Sequence, residues 1–250
     1  REIARSLLCA AAENKPGCND CQGCHLFDAG NHPDYHFLTN EQTVETGDSA
    51  LVAPGERYLV QAGGRANDHV EPKRGIGVNQ ARALTEELRS TPHYAVGKVV
   101  VIYPADQLNV NAANALLKVL EEPTPKTHFL LVTGALYALP ATIRSRCSHY
   151  RLPLPAEHDA LAWLQGKLSL DSKESKKLLD FANGSPLEAC KLFEEEAWLT
   201  GSSLPADLAA ILAGDTTPTA ISKKWGQADV RVTIRWLQRQ MLGAFAAAAS

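Results

Sequence analysis

Two apolar runs, "KVVVIY" (Lys98–Tyr103) and "THFLLVT" (Thr127–Thr133), constrain the fold more than anything else in the chain. A strand with one wet face alternates apolar and polar residues. An unbroken, largely β-branched run is instead the mark of a strand covered on both faces, as in a parallel sheet. Between the runs, "ADQLNVNAANALLKVLEEP" carries Leu108, Ala112, Leu116 and Leu120 at helical spacing. Upstream, "GVNQARALTEELRSTP" does the same with Val78, Ala81, Leu84 and Leu88, and Pro92 ends it. "HPDYHFL" adds a turn at His32-Pro33-Asp34 and a short strand at His36–Leu38. Helices alternating with doubly covered strands predict an α/β fold, a mostly parallel sheet flanked by helices.

The rest of the chain divides around that core. With 250 residues, 45% of them apolar, it can bury two or three domains. We expect an α/β domain over 1–153, interrupted by a polar insertion at 40–75 in which "ALVAPGERYLVQ" reads as a hairpin turning at Pro54-Gly55 between Val52 and Leu59. Short helices such as "HDALAWLQGKL" and "PLEACKLFEEEAWL" predict a small helical domain over 154–200. Residues 201–250 read as a linker, with a helix near Ala206–Ala213, and then the start of a helical oligomerisation domain. There Ile234, Leu237, Met241 and Leu242 form an apolar stripe for a core or a subunit interface. Trp163, Trp198, Trp225 and Trp236 are assigned to packing. The opening "REIARSLL" already shows helical spacing at Ile3, Leu7 and Leu8, so the chain is expected to be a fragment that starts inside an element. A net charge of −3 argues against a strongly basic nucleic-acid binder. With no signal peptide and no apolar run near the roughly 18 residues of a membrane span, a cytoplasmic protein is expected.

Four of the six cysteines fall within sixteen residues, spaced C-x8-C-x2-C-x2-C: Cys9, Cys18, Cys21 and Cys24. In a cytosolic chain such spacing favours metal ligation over disulfides. Overlapping C-x2-C steps turn three thiolates toward one centre, Gly17 and Gly23 permit the tight turns, and Cys9 supplies the fourth sulfur. Four thiolates suit one Zn²⁺ with a closed coordination sphere, hence a structural site; an iron–sulfur cluster or disulfides are the alternatives. His25 and His32, nearby, read as surface groups or as neighbours of the ligands, and Cys147 and Cys190 as small buried side chains.

"KVVVIYPADQLNVNAANALLKVLEEPTPKTHFLLVT", followed by "LPATIRSRC" and taken with the cysteine pattern and "HPDYHFL", resembles the clamp-loader branch of the AAA+ ATPases over roughly residues 1–190. The resemblance implies an AAA+ module, here without its first strand and phosphate loop, followed by a small all-α lid domain. It implies as partners the ATPase (gamma/tau type) and delta subunits of a bacterial DNA polymerase III clamp loader, and through them the sliding clamp and primer-template DNA. In ATP-hydrolysing members the central strand ends in two acids, for Mg²⁺ and for the attacking water. Tyr103 and Pro104 stand there instead, Asp106 reads as the cap of the following helix, and Thr133 matches the family's sensing threonine. Where such ATPases carry an arginine in the helical domain, this chain has Pro186 or Leu187. The chain is therefore expected not to hydrolyse ATP alone, while belonging to a DNA-directed DNA polymerase (nucleotidyltransferase) holoenzyme. "SRC" resembles the motif whose arginine enters the ATP site of the neighbouring subunit; Arg146 is assigned that role, with Arg144 second. Two other readings stay open: an active AAA+ ATPase, and a zinc-dependent nucleic-acid binding module. Lys118, Glu121 and Glu122 read as a solvated helix face.

Overall fold

The computed structural model describes residues 1–11, 17–46, 49–61, 73–94, 96–194 and 203–225, with 233, 234 and 237. It divides into two compact units, Arg1–Tyr150 and Arg151–Ser250.

The first unit opens with α1 (Glu2–Leu8) and α2 (Gln22–Asp28), then β1 (Tyr35–Leu38), α3 (Glu41–Thr46), α4 (Ser49–Gln61) and α5 (Val78–Leu88). β2 (Lys98–Ile102), α6 (Val110–Glu121), β3 (Thr127–Leu131) and α7 (Ala141–Arg144) complete it. The strands form one parallel sheet in the order β1-β2-β3, pairing Tyr35 with Val99 and Val99 in turn with His128. The unbroken apolar runs now have a physical account. Leu38, Val100, Ile102, Phe129 and Leu131 face a core built with α5, α6 and α7. Phe37, Val99, Val101 and Leu130 face a second core, with Ala4 and Leu8 of α1 and Phe27 of α2. Each neighbouring residue on a strand thus enters a different core, as an α/β/α layering requires.

Three expectations need correction. "ALVAPGERYLVQ" is no hairpin: it is most of α4, with Pro54 inside the helix. Its buried residues pair at a spacing of four, Pro54 with Tyr58 and Gly55 with Leu59, which is the repeat of a helix face. Gly55 sits there because α4 lies hard against α3 and the end of β1: a Cβ on it would be 3.0 Å from Val44 Cγ2 of α3 and 3.1 Å from Thr39 Cγ2, just past β1. The helix expected from Asp106 onward is split into a 3-10 turn (Ala105–Gln107) and α6, whose cap is Asn109, accepting from the Ala112 N–H at 2.8 Å. Asp106 is therefore not the cap of the long helix. And β3 is only half-buried, with His128 exposed, because among the described strands it lies at the edge of the sheet.

The second unit is helical. α8 (Glu157–Leu168), α9 (Ser172–Phe181) and α10 (Pro186–Glu194) are followed by α11 (Leu204–Ala213) and α12 (Pro218–Trp225). Ala160, Leu164, Leu178, Leu179, Ala189 and Leu192 form its core with Leu204. Asp171 caps α9, accepting the Glu174 N–H at 2.7 Å. Trp225 packs on that core, but Trp163 is 43% exposed rather than packed. Trp198, Trp236, Met241 and Leu242 lie outside the described residues. Among the described residues no helix is long and apolar enough to cross a membrane.

Candidate functional site

Two helix ends bring the cysteines together. α1 stops at Cys9, which turns to extended backbone, and α2 starts after Cys21, whose sulfur accepts the Cys24 N–H as its N-cap at 3.4 Å. Cys18 lies in the turn between, where Gly17 and Asn19 both take positive φ. The four sulfurs lie within 4.8 Å of one another; Cys9 and Cys21 are 3.9 Å apart, Cys18 and Cys24 4.0 Å. A tetrahedral zinc with bonds near 2.3 Å sets its sulfurs about 3.8 Å apart, so the donor set fits a single ion of that size. All six cysteines are free thiols here. The site is closely built: a Cβ on Gly23 would stand 2.9 Å from the Leu8 carbonyl oxygen, so only glycine lets α2 approach the end of α1.

The cluster shifts its own acidity. Burial alone would raise the Cys21 thiol, yet the N–H groups of Cys24 and Ala10 and the thiols of Cys18 and Cys24 bring it down to about 6. Burial and the competing sulfurs of Cys21 and Cys9 push Cys24 up to about 11. The two thiols are thus pushed in opposite directions, and binding a metal ion would require both to give up their protons. Of the two histidines expected beside the ligands, His25 is exposed and His32 is buried. The Nδ1 of His32 accepts the Asp34 N–H at 3.1 Å. Arg5 ties the loop down, donating to Asn19 and, at 2.9 Å, to Asp28.

The other candidate residues fall in two places: Tyr103, Pro104, Asp106 and Thr133 just past the carboxyl ends of β2 and β3, and Arg144 and Arg146 at and after the end of α7. Just past the end of β2, Tyr103 is 42% exposed and is followed by Pro104. The Asp106 carboxylate accepts the Thr133 hydroxyl at 2.6 Å and the Gln107 amide at 3.1 Å. Arg144 ends α7, and Arg146 follows it by two residues. Arg146 Nε donates to Glu121 at 2.6 Å, and Nη1 donates to the Thr142 carbonyl at 2.7 Å. Glu121, read from sequence as part of a solvated face, is therefore the in-chain partner of Arg146. Its place at the end of a helix before Glu-Pro was the only signal, and it names no partner. Pro186 and Leu187, either of which stands at the arginine position of the resemblance, open α10, with Leu187 72% exposed.

A buried polar group between α4, α5 and β1 had no signal at all in the sequence. Tyr58 donates to Glu87 at 2.8 Å, His36 Nδ1 lies 2.6 Å from the Tyr58 hydroxyl, and Arg57 pairs with Glu87 at 2.9 Å. Beside it the buried Lys98 donates to the Glu87 and Ser90 carbonyls and to the Ser90 hydroxyl, closing the end of α5.

A family model described as "DNA polymerase III, delta subunit" matches residues 1–156. The chain belongs to this family. It is also similar to the DNA polymerase III subunit delta' of Escherichia coli, 31% identical over 243 residues, 97% of this chain and 64% of that protein. The delta' subunit of Haemophilus influenzae is 34% identical over 195 residues, 77% of this chain and 50% of that protein. A DNA polymerase III gamma subunit from Buchnera aphidicola is 33% identical over 132 residues, 51% of this chain and 36% of that protein. The chain thus spans between half and two thirds of the length of these delta' relatives. Family membership agrees with the parallel sheet flanked by helices and with the AAA+ clamp-loader fold expected from the motifs.

Proposed function

We propose that the chain is a non-catalytic subunit of a DNA polymerase III clamp loader, helping the ATP-driven loading of a sliding clamp onto primed DNA. Its partners on this reading are the gamma/tau-type ATPase subunits and the delta subunit, in the cytoplasm. The observation that carries the reading is the end of β2. Tyr103 and Pro104 offer neither a magnesium ligand nor a proton acceptor, and the nearest carboxylate, Asp106, is engaged by Thr133. Such a site lacks the parts that phosphoryl transfer needs.

Arg146, with Arg144 as second choice, supplies a guanidinium to the ATP site of the neighbouring subunit. Charge builds on the γ-phosphoryl oxygens in the transition state, and a planar fork of N–H donors matches it. The Arg146–Glu121 pair is open to solvent on both sides, 32% and 46% exposed, so exchanging Glu121 for a phosphate costs little. The cysteine cluster holds one structural Zn²⁺ through Cys9, Cys18, Cys21 and Cys24. Four sulfurs around one ion leave no position for substrate, and the ion's contribution is to lock α1, the loop and α2 together. A multi-iron cluster would spread its thiolates wider than the spacing found.

Reconstitution tests the reading. Arg146→Ala in the assembled loader should cut DNA-stimulated ATP turnover at the adjoining site by about 10³-fold or more. The chain alone, mixed with ATP, should release no phosphate above background. Motor-like turnover by the isolated chain would instead establish the active-ATPase reading.

A further inference from the structure

Among the buried side-chain polar atoms left without a hydrogen-bond partner are Arg5 Nε and His32 Nε2, and both lie beside the cysteine cluster. His32 is 3% exposed and carries its proton on Nε2, because Nδ1 is occupied as the acceptor of the Asp34 N–H. That Nε2–H faces the small gap over Gly23: a Cβ there would be 3.5 Å from His32 Nε2 and 3.8 Å from Cys21 Sγ. Arg5 lies across the other side of the loop, its Nε 3.3 Å from where a Gly17 Cβ would stand, next to Cys18. Its outer contacts, to Asn19, Asp28 and, at 3.7 Å, Glu2, leave Nε free, and the guanidinium is close enough to Cys24 for their charges to interact. Buried N–H donors without acceptors are rare and costly. Two of them around one group of sulfurs point to acceptors that gain strength when the sulfurs become metal-bound thiolates.

We propose that Arg5 and His32 are positioning residues for the metal: their N–H groups serve the thiolates of the cluster, Arg5 Nε–H from the side of Gly17 and Cys18 and His32 Nε2–H from the side of Cys21, offsetting the negative charge of a four-thiolate site. This rests on the metal reading above. Backbone N–H groups already donate to Cys9, Cys18 and Cys21, from Cys18 and Cys21 at 3.3 Å and from Cys24 at 3.4 Å. The two side chains add donors from outside the cysteine loop to those that the backbone already supplies. Partners of this kind around metal ligands change affinity by about 10–100-fold when lost.

The test loads the full chain with Zn²⁺ and, separately, Co²⁺, and follows metal release to a chelator together with the sulfur-to-cobalt charge-transfer bands. His32→Phe and Arg5→Met should each speed release by about 10-fold or more and move the charge-transfer bands to lower energy, because thiolates stripped of a donor give up electrons more readily. His32→Gln and Arg5→Lys, which keep an N–H, should recover part of both effects. Faster release with unmoved bands would make the two residues mere packing and overturn the proposal. Unchanged release in both variants, with metal bound as in the parent, would also overturn it while leaving the metal reading standing. A parent chain that takes up neither ion overturns both.

Discussion

Arg146 shows how little a contact in one chain says about a side chain's use. Its pairing with Glu121 is exposed, and exposed pairs contribute about 0–1 kcal/mol to stability. Arg146→Ala should therefore move the melting temperature by only a few degrees, measured by calorimetry on the chain alone. If its role is in trans, the same variant should nearly abolish ATP turnover at the adjoining site. A stability loss large enough to explain the activity loss would return Arg146 to a structural part. Gly23 is the opposite kind of residue. Its tightest neighbour is backbone, the Leu8 oxygen 2.9 Å from any added Cβ, so Gly23→Ala must push α1 and α2 apart. A cost of about 1–3 kcal/mol is expected, seen as a lower melting temperature and weaker zinc retention.

At the scale of elements, the polar group between α4, α5 and β1 decides how the insertion is held. Burial alone would raise the Glu87 carboxyl, but hydrogen bonds from His36, Gln61 and Tyr58 and the charge of Arg57 hold it at about 2. The unfolded chain takes up that proton near 4.5, so the stabilisation is complete above that pH and drains away as pH falls toward about 2. Burial also pulls the His36 imidazole below its ordinary 6.5, so it too contributes above that pH and loses its contribution on acidification. Both effects run the same way. Glu87→Gln should cost on the order of 1–3 kcal/mol near neutral pH, and the gap to the parent should close between pH 5 and 2 in denaturant titrations. A gap independent of pH would mean that the carboxylate's charge is not what binds α4. Tyr58→Phe, at a fully buried position, leaves Glu87 and His36 each short of a hydrogen bond, and about 1–3 kcal/mol is expected there also.

For the whole molecule, the division at Tyr150 separates an α/β unit that carries the cysteine cluster from a helical one with its own core. Stripping metal with a strong chelator should lower the transition of the first unit and leave that of the second in place in a calorimetric scan. Equal shifts in both would show that the units unfold as one. The parallel sheet, the flanking helices and the gathering of the four cysteines were legible in the residues, because each depends on local spacing: period 3.6 for helices, unbroken runs for doubly covered strands, short steps between sulfurs. Where spacing and local punctuation disagreed, the punctuation misled. Pro54-Gly55 looks like a turn, yet the pair lies inside α4, because close packing against α3 and the end of β1 favours a residue with no side chain. Asp106 looks like a helix cap, but Thr133, arriving on the neighbouring strand, claims its carboxylate. The union of His36, Tyr58 and Glu87, the Arg146–Glu121 pair, and the approach of Arg5 and His32 to the sulfurs all join residues far apart in the chain. Local composition carries no record of such meetings; they exist only once the sheet has closed its cores and set those side chains within hydrogen-bonding reach.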